Sequence, residues 1–270
     1  MKKIDRIGLL AGGGELPLIL ADEAKKKGVK VIAFAAKGMA SPKLNGRVDK
    51  IYWLDLSETN KLPFLFLTNR IKNVIMIGKI PKSIFLKKDF SKSDEISSLL
   101  NDTENRQDDS LMRNAAEKGK KLGLTFINPM DFLSDILPQK GTLTKRNPTP
   151  KEWDDIEFGK QMATGIGKLD IGQTVVVRNK AVLAVEAIEG TDEAIRRSGH
   201  FSKNDSVVVK MIKPTQDPRF DIPTVGIETI HSLIEAKASV LAIEAGKTFL
   251  LNREEAISKA DENGISIVAI

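Results

Sequence analysis

Two acidic stretches in the second half of the chain carry residue types that polar chemistry requires. The segment Glu189-Gly-Thr191-Asp192 follows an apolar run, so two carboxylates lie where a strand gives way to a helix. The segment from Lys213 to Thr224 holds three prolines together with Lys, Gln, Arg and Asp, and it lacks helical or strand periodicity. A stiff charged loop binds ligands at low ordering cost, although a solvated connecting loop is the alternative for this composition. Carboxylate oxygens are the ligands that suit Mg²⁺ or Mn²⁺.

A run of three glycines, Gly12-Gly13-Gly14, follows an apolar stretch and precedes a helical one. Glycines let the backbone approach an anion closely, and the N-terminus of the next helix attracts negative charge. The run therefore indicates a phosphate-binding turn for a nucleotide or sugar-nucleotide, with a tight structural turn as the alternative. The dinucleotide fingerprint is incomplete, because Pro17 stands at its third glycine and Lys37, not an acid, follows the second apolar run. These departures disfavour an NAD-dependent oxidoreductase.

A third polar cluster, Asp108-Asp109-Ser-Leu-Met-Arg113, opens a helical stretch in the first half. Paired acids at this place could hold Mg²⁺ or bond a ribose. Acids in the first turn of a helix also stabilise the helix without any ligand, and this is the more common role of an isolated pair.

The composition excludes several classes of protein. The 270 residues include no Cys and two His, which rules out disulfide frameworks, thiolate zinc sites and cysteine catalysis and argues against a His-built metal site. The G-x-S-x-G signature of serine hydrolases is absent, as are the aromatic motifs of RNA-binding proteins, so we expect no nucleic-acid partner. No apolar run reaches the length of a membrane span, and Gly and Pro interrupt the N-terminal stretch that could otherwise imitate a signal peptide. We therefore expect a cytoplasmic protein.

Short, uniformly apolar runs alternate with amphipathic stretches in the first half. This alternation is typical of parallel strands covered by helices on both faces, and it predicts a Rossmann-like, doubly wound α/β domain. The predicted strands are 7–11, 31–35, 50–54, 73–78 and 124–127, and a helix is predicted over 16–27.

The second half predicts a mixed α/β domain. A β-hairpin is expected around the turn Arg178-Asn179-Lys180, and Thr191 is the predicted N-cap of the helix that follows. The remaining predicted elements are helices near 153–167 and 227–237 and strands near 206–213 and 240–243.

A polar, basic stretch with two prolines separates the halves. It predicts a first domain of residues 1–141, a linker of residues 142–152, and a second domain of residues 153–270 that carries most of the candidate acids. Up to Gly141 the chain has 25 basic and 17 acidic residues, a net charge of +8, whereas the remainder has 17 and 19, a net charge of −2. The positive half suits an anionic ligand or an anionic membrane surface, and a solvated lysine-rich surface is the alternative.

Six segments follow one another in an order that resembles one enzyme family over nearly the whole chain. They are Leu9-Leu-Ala-Gly-Gly-Gly-Glu-Leu-Pro17, Asp108-Asp-Ser-Leu-Met-Arg113, Asp170-Ile-Gly-Gln173, Leu183-Ala-Val-Glu-Ala-Ile-Glu-Gly-Thr-Asp192, Lys213-Pro-x-Gln-Asp-x-Arg-Phe-Asp-Ile-Pro-Thr-Val-Gly226 and Glu244-Ala-Gly246. The chain resembles the UDP-2,3-diacylglucosamine pyrophosphatases of lipid A synthesis, specifically the type unrelated to calcineurin-like phosphoesterases. The Glu-Gly-Thr-Asp and Phe-Asp-Ile-Pro-Thr segments are specific, whereas the glycine turn alone is not.

The resemblance implies a metal-dependent hydrolase. Its substrate would be the lipid UDP-2,3-diacylglucosamine, its cofactor Mg²⁺ or Mn²⁺, and its products UMP and 2,3-diacylglucosamine 1-phosphate (lipid X). It also implies peripheral contact with the inner face of the membrane and a homodimer. Two alternatives stay open: a pyrophosphatase for another nucleotide-sugar, and a non-catalytic nucleotide-sugar-binding protein.

The resemblance also assigns site residues. The family's key acid lies in an Arg-x-Asp-x-Pro-Thr segment, and the matching residue here is Asp221. The predicted catalytic acids are Asp221, Asp192 and Glu189, of which Asp221 and Asp192 are the predicted metal ligands. The predicted substrate-binding residues are Gly12, Gly13, Gly14, Asp109, Arg113, Thr191, Lys213, Gln216, Arg219 and Thr224.

Overall fold

The computed structural model describes residues 4–80, 108–202, 204–214 and 216–270, without the side chains of residues 108–112, 114 and 115. The chain divides into two compact units. The first unit contains the chain up to Leu133 together with Asp217–Asp221, and the second contains Ser134–Gln216 and Ile222–Ile270. Each unit is built on its own β-sheet.

The first unit has the parallel sheet that its apolar runs predict. Its described strands are β1 (Arg6–Ala11), β2 (Lys30–Ala36), β3 (Lys50–Leu54), β4 (Asn73–Ile77) and β5 (Thr125–Phe126), and its described helices are α1 (Leu16–Lys26), α2 (Leu62–Thr68) and α3 (Asp108–Lys121). The strands lie in the order β3-β2-β1-β4-β5, and all neighbours are parallel. Leu9, for example, pairs with Ala33 on one side and Ile75 on the other.

An apolar cluster on one face of this sheet holds α2 in place. Phe34 of β2 stacks on Tyr52 of β3 with ring centroids 5.5 Å apart, and Phe66 of α2 contacts Phe34 in a T-shaped arrangement at 4.9 Å. Val74 of β4 and Leu124 complete the cluster. A helix of seven residues is too short to be stable alone, so burial of such side chains, worth about 1.5–3 kcal/mol each, stabilises it.

The order of the strands reverses between β1 and β4. Along the chain, β2 and β3 follow β1 on one side of the sheet, whereas β4 and β5 lie on the other side. In open parallel sheets, a crevice forms outside the carboxyl ends of the strands at such a reversal, and ligands bind there. The loops at this crevice are Gly12–Gly14 after β1 and Gly78–Lys79 after β4. The strand order confirms the predicted Rossmann-like, doubly wound architecture.

The second unit is a mixed α/β domain, as predicted, and its main sheet combines parallel and antiparallel strands. Its strands are β6 (Gly141–Thr142), β7 (Thr174–Arg178), β8 (Ala181–Val185), β9 (Ser206–Lys210), β10 (Thr224–Val225), β11 (Ala238–Ile243), β12 (Phe249–Leu250) and β13 (Ser266–Ala269). Its helices are α4 (Pro150–Lys168), α5 (Thr191–Ser198), α6 (Ile227–Glu235) and α7 (Arg253–Glu262). The main sheet has the order β6-β13-β11-β9-β7-β8, and β10 pairs with β12.

One edge of the main sheet collects several loops. The strands β9, β11 and β13 are parallel, and β7 runs antiparallel to β9 with Thr174 opposite Lys210. The carboxyl end of β9 therefore lies beside the amino end of β7. Because β8 is antiparallel to β7, its carboxyl end lies there too. We call the edge of the sheet that holds the carboxyl ends of β8, β9, β11 and β13 the carboxyl edge of the second unit.

Helices cover both faces of the main sheet. On one face, Ile156 of α4 packs on valines of β7 and β9. Gly159 permits this close approach, because a Cβ at that position would lie 2.6 Å from Val209 Cγ2. On the other face, Ile195 of α5 and Leu233 of α6 belong to a second buried cluster. Across the described ranges, no helix is long and apolar enough to cross a membrane.

The segment 142–152, predicted as a linker, is part of the second unit. The Leu143 N–H donates to the Ile267 carbonyl at 2.8 Å, which continues the pairing of β6 with β13. The Thr149 hydroxyl accepts from the backbone at the start of α4, and Pro150 is the first helical residue. Proline suits that position because its missing N–H would have had no helical partner. Pro150 thus marks the start of a helix in the second unit.

The predicted hairpin forms, but the helix after it starts differently from the prediction. Asn179 and Lys180 have φ of 52° and 58°, the left-handed conformation that a two-residue hairpin turn needs. Gly190, with φ of 86°, is the N-cap of α5, and Thr191 is the first helical residue. The Thr191 hydroxyl donates to Glu186 instead of capping the helix.

Candidate functional site

The glycine run lies at the crevice of the first unit. The Gly12 N–H donates to the Ile77 carbonyl and the Gly13 N–H to the Lys79 carbonyl, each at 2.9 Å. A Cβ on Gly12 would lie 2.8 Å from the carbonyl carbon of Gly78, so the approach of the two loops requires glycine. The run therefore builds the turn itself, and a phosphate would compete with two carbonyls for these amides.

A segment from the second half of the sequence also belongs to the first unit. Within Asp217–Asp221, the Phe220 ring contacts Phe126 with centroids 5.8 Å apart. Phe126 is in β5 and lies opposite Val74 of β4, so this segment packs beside the outer strand of the parallel sheet. The predicted catalytic acid Asp221 therefore belongs to the first unit, where its side chain is exposed.

An ion pair shapes the segment around Asp221. The Arg219 guanidinium donates to Asp217 through Nη2 at 2.6 Å and Nε at 3.0 Å, and it lies 5.0 Å from the Phe220 ring centroid. The hydrogen bonds from Arg219 lower the pKa of Asp217, and the positive charge of Arg113 in α3 adds to the effect. Two of the predicted substrate-binding cations therefore act on one carboxylate in the first unit.

A buried polar network lies at the carboxyl edge of the second unit. Lys210, the last residue of β9 and 3% exposed, donates from Nζ to Thr191 Oγ1 at 2.5 Å. The Thr191 hydroxyl donates to Glu186 Oε1 at 3.0 Å, so Thr174 is the donor in its 3.4 Å contact with Thr191. Glu186 is 8% exposed. A buried lysine and a buried carboxylate are thus joined through one hydroxyl, and we call these four residues the Lys210 network.

A second pair of opposite charges lies on loops at the same edge. Lys213 donates from Nζ to Asp170 Oδ1 at 2.7 Å, and its backbone N–H donates to Gln216 Oε1 at 3.0 Å. The Ile212 N–H donates to Glu244 Oε2 at 3.1 Å. Lys213 and Gln216 are both buried. These contacts order the start of the proline-rich loop, which agrees with a stiff segment and not a solvated one.

The two acids of the Glu-Gly-Thr-Asp segment have different partners. Arg197 of α5 donates to Glu189 Oε1 at 2.8 Å. The Glu189 backbone N–H, together with Arg197, lowers the pKa of the Glu189 carboxyl. Asp192, in the first turn of α5, accepts a hydrogen bond from Thr229 Oγ1 of α6 at 3.0 Å. Both carboxylates are therefore oriented by protein contacts.

The structure distributes the predicted site residues over the two units. The first unit holds Gly12, Gly13, Gly14, Arg113, Arg219 and Asp221, and the second holds Glu189, Thr191, Asp192, Lys213, Gln216 and Thr224. Thr224 is in β10, where its hydroxyl donates to the Ile222 carbonyl at 3.0 Å. The side chain of Asp109 lies outside the described part of the chain.

Lys210 is not among the site residues that the sequence predicts. This lysine ends a run of three buried valines in β9, and a lysine in such a run is the signal that could have identified it. Charged side chains are rarely buried without a partner, so a lysine at the end of this run predicts that an acid lies nearby. The partner could not be named, because Thr191 and Glu186 approach Lys210 only through the pairing of β7 with β9.

Oxygen ligands for a divalent cation are present but dispersed. Among the residues that the structure describes, no three His, Cys, Asp or Glu side chains are grouped closely enough to hold a metal ion. Mg²⁺ is commonly bound by one or two carboxylates, with substrate phosphates and water as the other ligands. The donor set fits a cation that binds together with a phosphorylated ligand, and it does not fit one held by these side chains alone.

Sequence comparison covers almost the whole chain. A family model described as the LpxI N-terminal domain matches residues 6–136, and one described as the LpxI C-terminal domain matches residues 139–268. A protein of Caulobacter vibrioides named UDP-2,3-diacylglucosamine pyrophosphatase LpxI is 30% identical over 277 residues. That alignment covers 98% of this chain and 97% of the relative.

Two solved structures share a more remote likeness. The biotin carboxylase subunit of pyruvate carboxylase matches 69% of this chain with 9% identity and a TM-score of 0.28. Glycinamide-RNase-transformylase T from Mycobacterium tuberculosis matches 67% of this chain with 14% identity and a TM-score of 0.25. The match spans 39% of the first of those chains and 44% of the second.

Proposed function

This chain belongs to the LpxI family, and from that membership we propose that it hydrolyses the pyrophosphate bond of UDP-2,3-diacylglucosamine in lipid A synthesis. Water attacks one phosphorus atom, and the bond from that phosphorus to the bridging oxygen breaks. The products are UMP and 2,3-diacylglucosamine 1-phosphate. The oxygen of the water ends on the attacked phosphorus, and the bridging oxygen leaves with the other product. The observation that carries the proposal is the match to a full-length pyrophosphatase from end to end.

The first unit supports a role in phosphate chemistry. Its glycine turn lies at the strand-order reversal, and Asp221 belongs to the same unit. A pyrophosphate carries about two negative charges, so cations must offset charge in the transition state. Arg113 and Arg219 supply positive charge beside Asp217, four residues before Asp221 in this unit. We assign Asp221 the task of orienting the attacking water or holding the metal.

The second unit also offers polar groups that suit a phosphorylated ligand. Lys213 is a buried cation whose present partner is Asp170, and a substrate phosphate would bind it by replacing that carboxylate. Gln216 holds the backbone at Lys213. We assign Glu189, Thr191, Asp192 and Thr224 to the same site, on the strength of the family's Glu-Gly-Thr-Asp and Pro-Thr segments.

We also propose that the reaction uses Mg²⁺ or Mn²⁺. The resemblance assigns Asp221 and Asp192 as the metal ligands, and Mg²⁺ commonly takes its other ligands from substrate phosphates and water. The ion would supply positive charge that stabilises the transition state.

Peripheral contact with the inner face of the membrane is part of the same proposal, since the substrate is a lipid. The net charge of +8 on the first half of the sequence supports attraction to anionic lipid. The homodimer rests on the family resemblance alone. Co-sedimentation with anionic and with neutral vesicles tests the membrane contact, and light scattering tests the homodimer.

Release of UMP from UDP-2,3-diacylglucosamine by the purified protein tests the activity. The assay is run with Mg²⁺, with Mn²⁺ and with chelator. We expect release that requires a divalent cation. Release that is unaffected by chelator would remove the metal from the proposal, and no release from a folded sample would favour another nucleotide-sugar or a binding protein.

A further inference from the structure

Three apolar side chains are exposed on two loops of the second unit. Leu169 is 70% exposed, Ile171 is 45% exposed and Ile188 is 68% exposed. We call these three residues the apolar rim. Single exposed aliphatic side chains are common on protein surfaces, whereas several on adjoining loops beside polar groups are typical of a binding surface.

The apolar rim directly adjoins the predicted polar site. Leu169 and Ile171 flank Asp170, which accepts the hydrogen bond from buried Lys213. The loop that follows packs against the backbone at Glu186, because a Cβ on Gly172 would lie 2.1 Å from the Glu186 carbonyl oxygen. The Gln173 N–H donates to Glu186 Oε2 at 3.3 Å. Ile188 is two residues beyond Glu186, so both loops of the rim meet at the polar site.

The strand directions place the apolar rim at one edge of the sheet. The loop 169–173 precedes β7 and the loop 186–190 follows β8, so both lie at the carboxyl edge with Lys210 and Lys213. Phe201 is equally exposed, at 68%, but it follows α5 and precedes β9. That position is at the opposite edge, and it makes Phe201 a matched control.

We propose that the apolar rim contacts the acyl chains of the substrate and sets the preference of the enzyme for chain length. This inference rests on the proposed function. An amphiphile with a phosphorylated sugar and two hydrocarbon chains requires polar and apolar surface side by side, and the carboxyl edge presents both. Each methylene that moves from water to apolar surface improves binding by about fourfold, so a rim of three aliphatic side chains affects long chains far more than short ones.

The test measures kcat/KM for two detergent-dispersed substrates that differ only in acyl length, one long and one short. We expect the double variant Leu169→Ser with Ile188→Ser to lower the ratio of long-chain to short-chain kcat/KM by on the order of tenfold. Phe201→Ser should leave this ratio at the wild-type value. Leu169→Met should do the same, because it keeps an apolar side chain of similar volume.

Two results would overturn the inference alone. Both require that the wild type hydrolyses the substrates. In the first, the double variant loses kcat/KM equally for long and short chains, which would indicate a structural role. In the second, the double variant keeps the wild-type ratio of long-chain to short-chain kcat/KM in detergent but loses hydrolysis of substrate in vesicles. That result would indicate that the apolar rim contacts the membrane. Absence of hydrolysis by the wild type would overturn the proposed function together with the inference.

Discussion

Substitution of Asp221 should lower the turnover of the proposed reaction more than substitution of any other candidate residue. Asp221→Asn keeps the size of the side chain and removes its charge, so we expect turnover to fall by on the order of a hundredfold or more, with unchanged thermal stability. UMP release and a melting curve measure the two effects. Asp154→Asn is the control, since Asp154 is an exposed acid that pairs with Lys180 at 3.2 Å. Turnover of Asp221→Asn within a few fold of wild type would remove the residue from its assigned role.

Lys210 and Thr191 should be energetically coupled, because the lysine donates to the threonine hydroxyl inside the protein. Lys210→Met leaves the buried Glu186 and its partner Thr191 without the cation, and we expect a loss of about 1–3 kcal/mol in the free energy of unfolding. Once Thr191→Val has removed the hydroxyl, the same substitution should cost less. A double-mutant cycle by urea unfolding should give a coupling energy of about 0.5–3 kcal/mol. Additive losses would mean that the two side chains stabilise the fold independently.

At the scale of elements, two glycines in α4 should respond in opposite directions to the same substitution. Gly159→Ala would place a Cβ 2.6 Å from Val209 Cγ2, so the helix must move off β9, and we expect destabilisation of about 1–3 kcal/mol. Gly165 has open space where its Cβ would lie, and Gly165→Ala should stabilise the same helix by about 0.5–1 kcal/mol. Melting temperatures of the two variants check this prediction. Equal shifts would show that α4 does not pack closely on β9.

The start of α4 should weaken in acid through Glu152. Burial raises the pKa of this carboxyl, but hydrogen bonds from Ser239, the Thr149 N–H and Arg146 outweigh burial and hold the pKa below its usual value. The unfolded chain therefore binds the proton at a higher pH than the folded chain does. The stability from these contacts is fully present above about pH 4.3, the ordinary pKa of glutamate, and is lost as the pH falls through the folded-state pKa.

Urea unfolding between about pH 7 and pH 3 tests this dependence. We expect Glu152→Gln to be less stable than wild type by about 1–3 kcal/mol at neutral pH and to lose less stability on acidification. Glu255→Gln, at an exposed position of α7, should follow the wild-type curve. Parallel curves for wild type and Glu152→Gln would contradict the prediction.

At the scale of the whole molecule, a divalent cation should matter for turnover and not for stability. Mg²⁺ is commonly bound by one or two carboxylates together with substrate phosphates, so the ion should bind strongly only when the substrate is present. We expect chelator to abolish UMP release while the melting temperature stays within about 1 °C, because an ion that does not bind the free protein adds nothing to its stability. A rise of several degrees with Mg²⁺ alone would indicate a site assembled by the protein.

Much of the fold is determined by local sequence patterns. The uniformly apolar runs of β1, β2 and β4 identify buried parallel strands, because burial on both faces leaves no place for polar side chains. The hairpin turn at Asn179 and Lys180 is equally local, since its backbone depends on two adjacent residues. The sequence also predicts candidate acids such as Asp221 and Asp192, through motifs that resemble those of one enzyme family.

The tertiary structure alone decided which distant residues meet. Asp217–Asp221 lies in the second half of the sequence yet belongs to the first unit, through contacts such as that of Phe220 with Phe126. Lys210 reaches Thr191 because β9 pairs with β7 in one particular register. Periodicity along a chain reports which face of an element is buried, but not which element covers that face. Contacts between remote segments depend on the registers and packing of the folded chain, so they appear only in three dimensions.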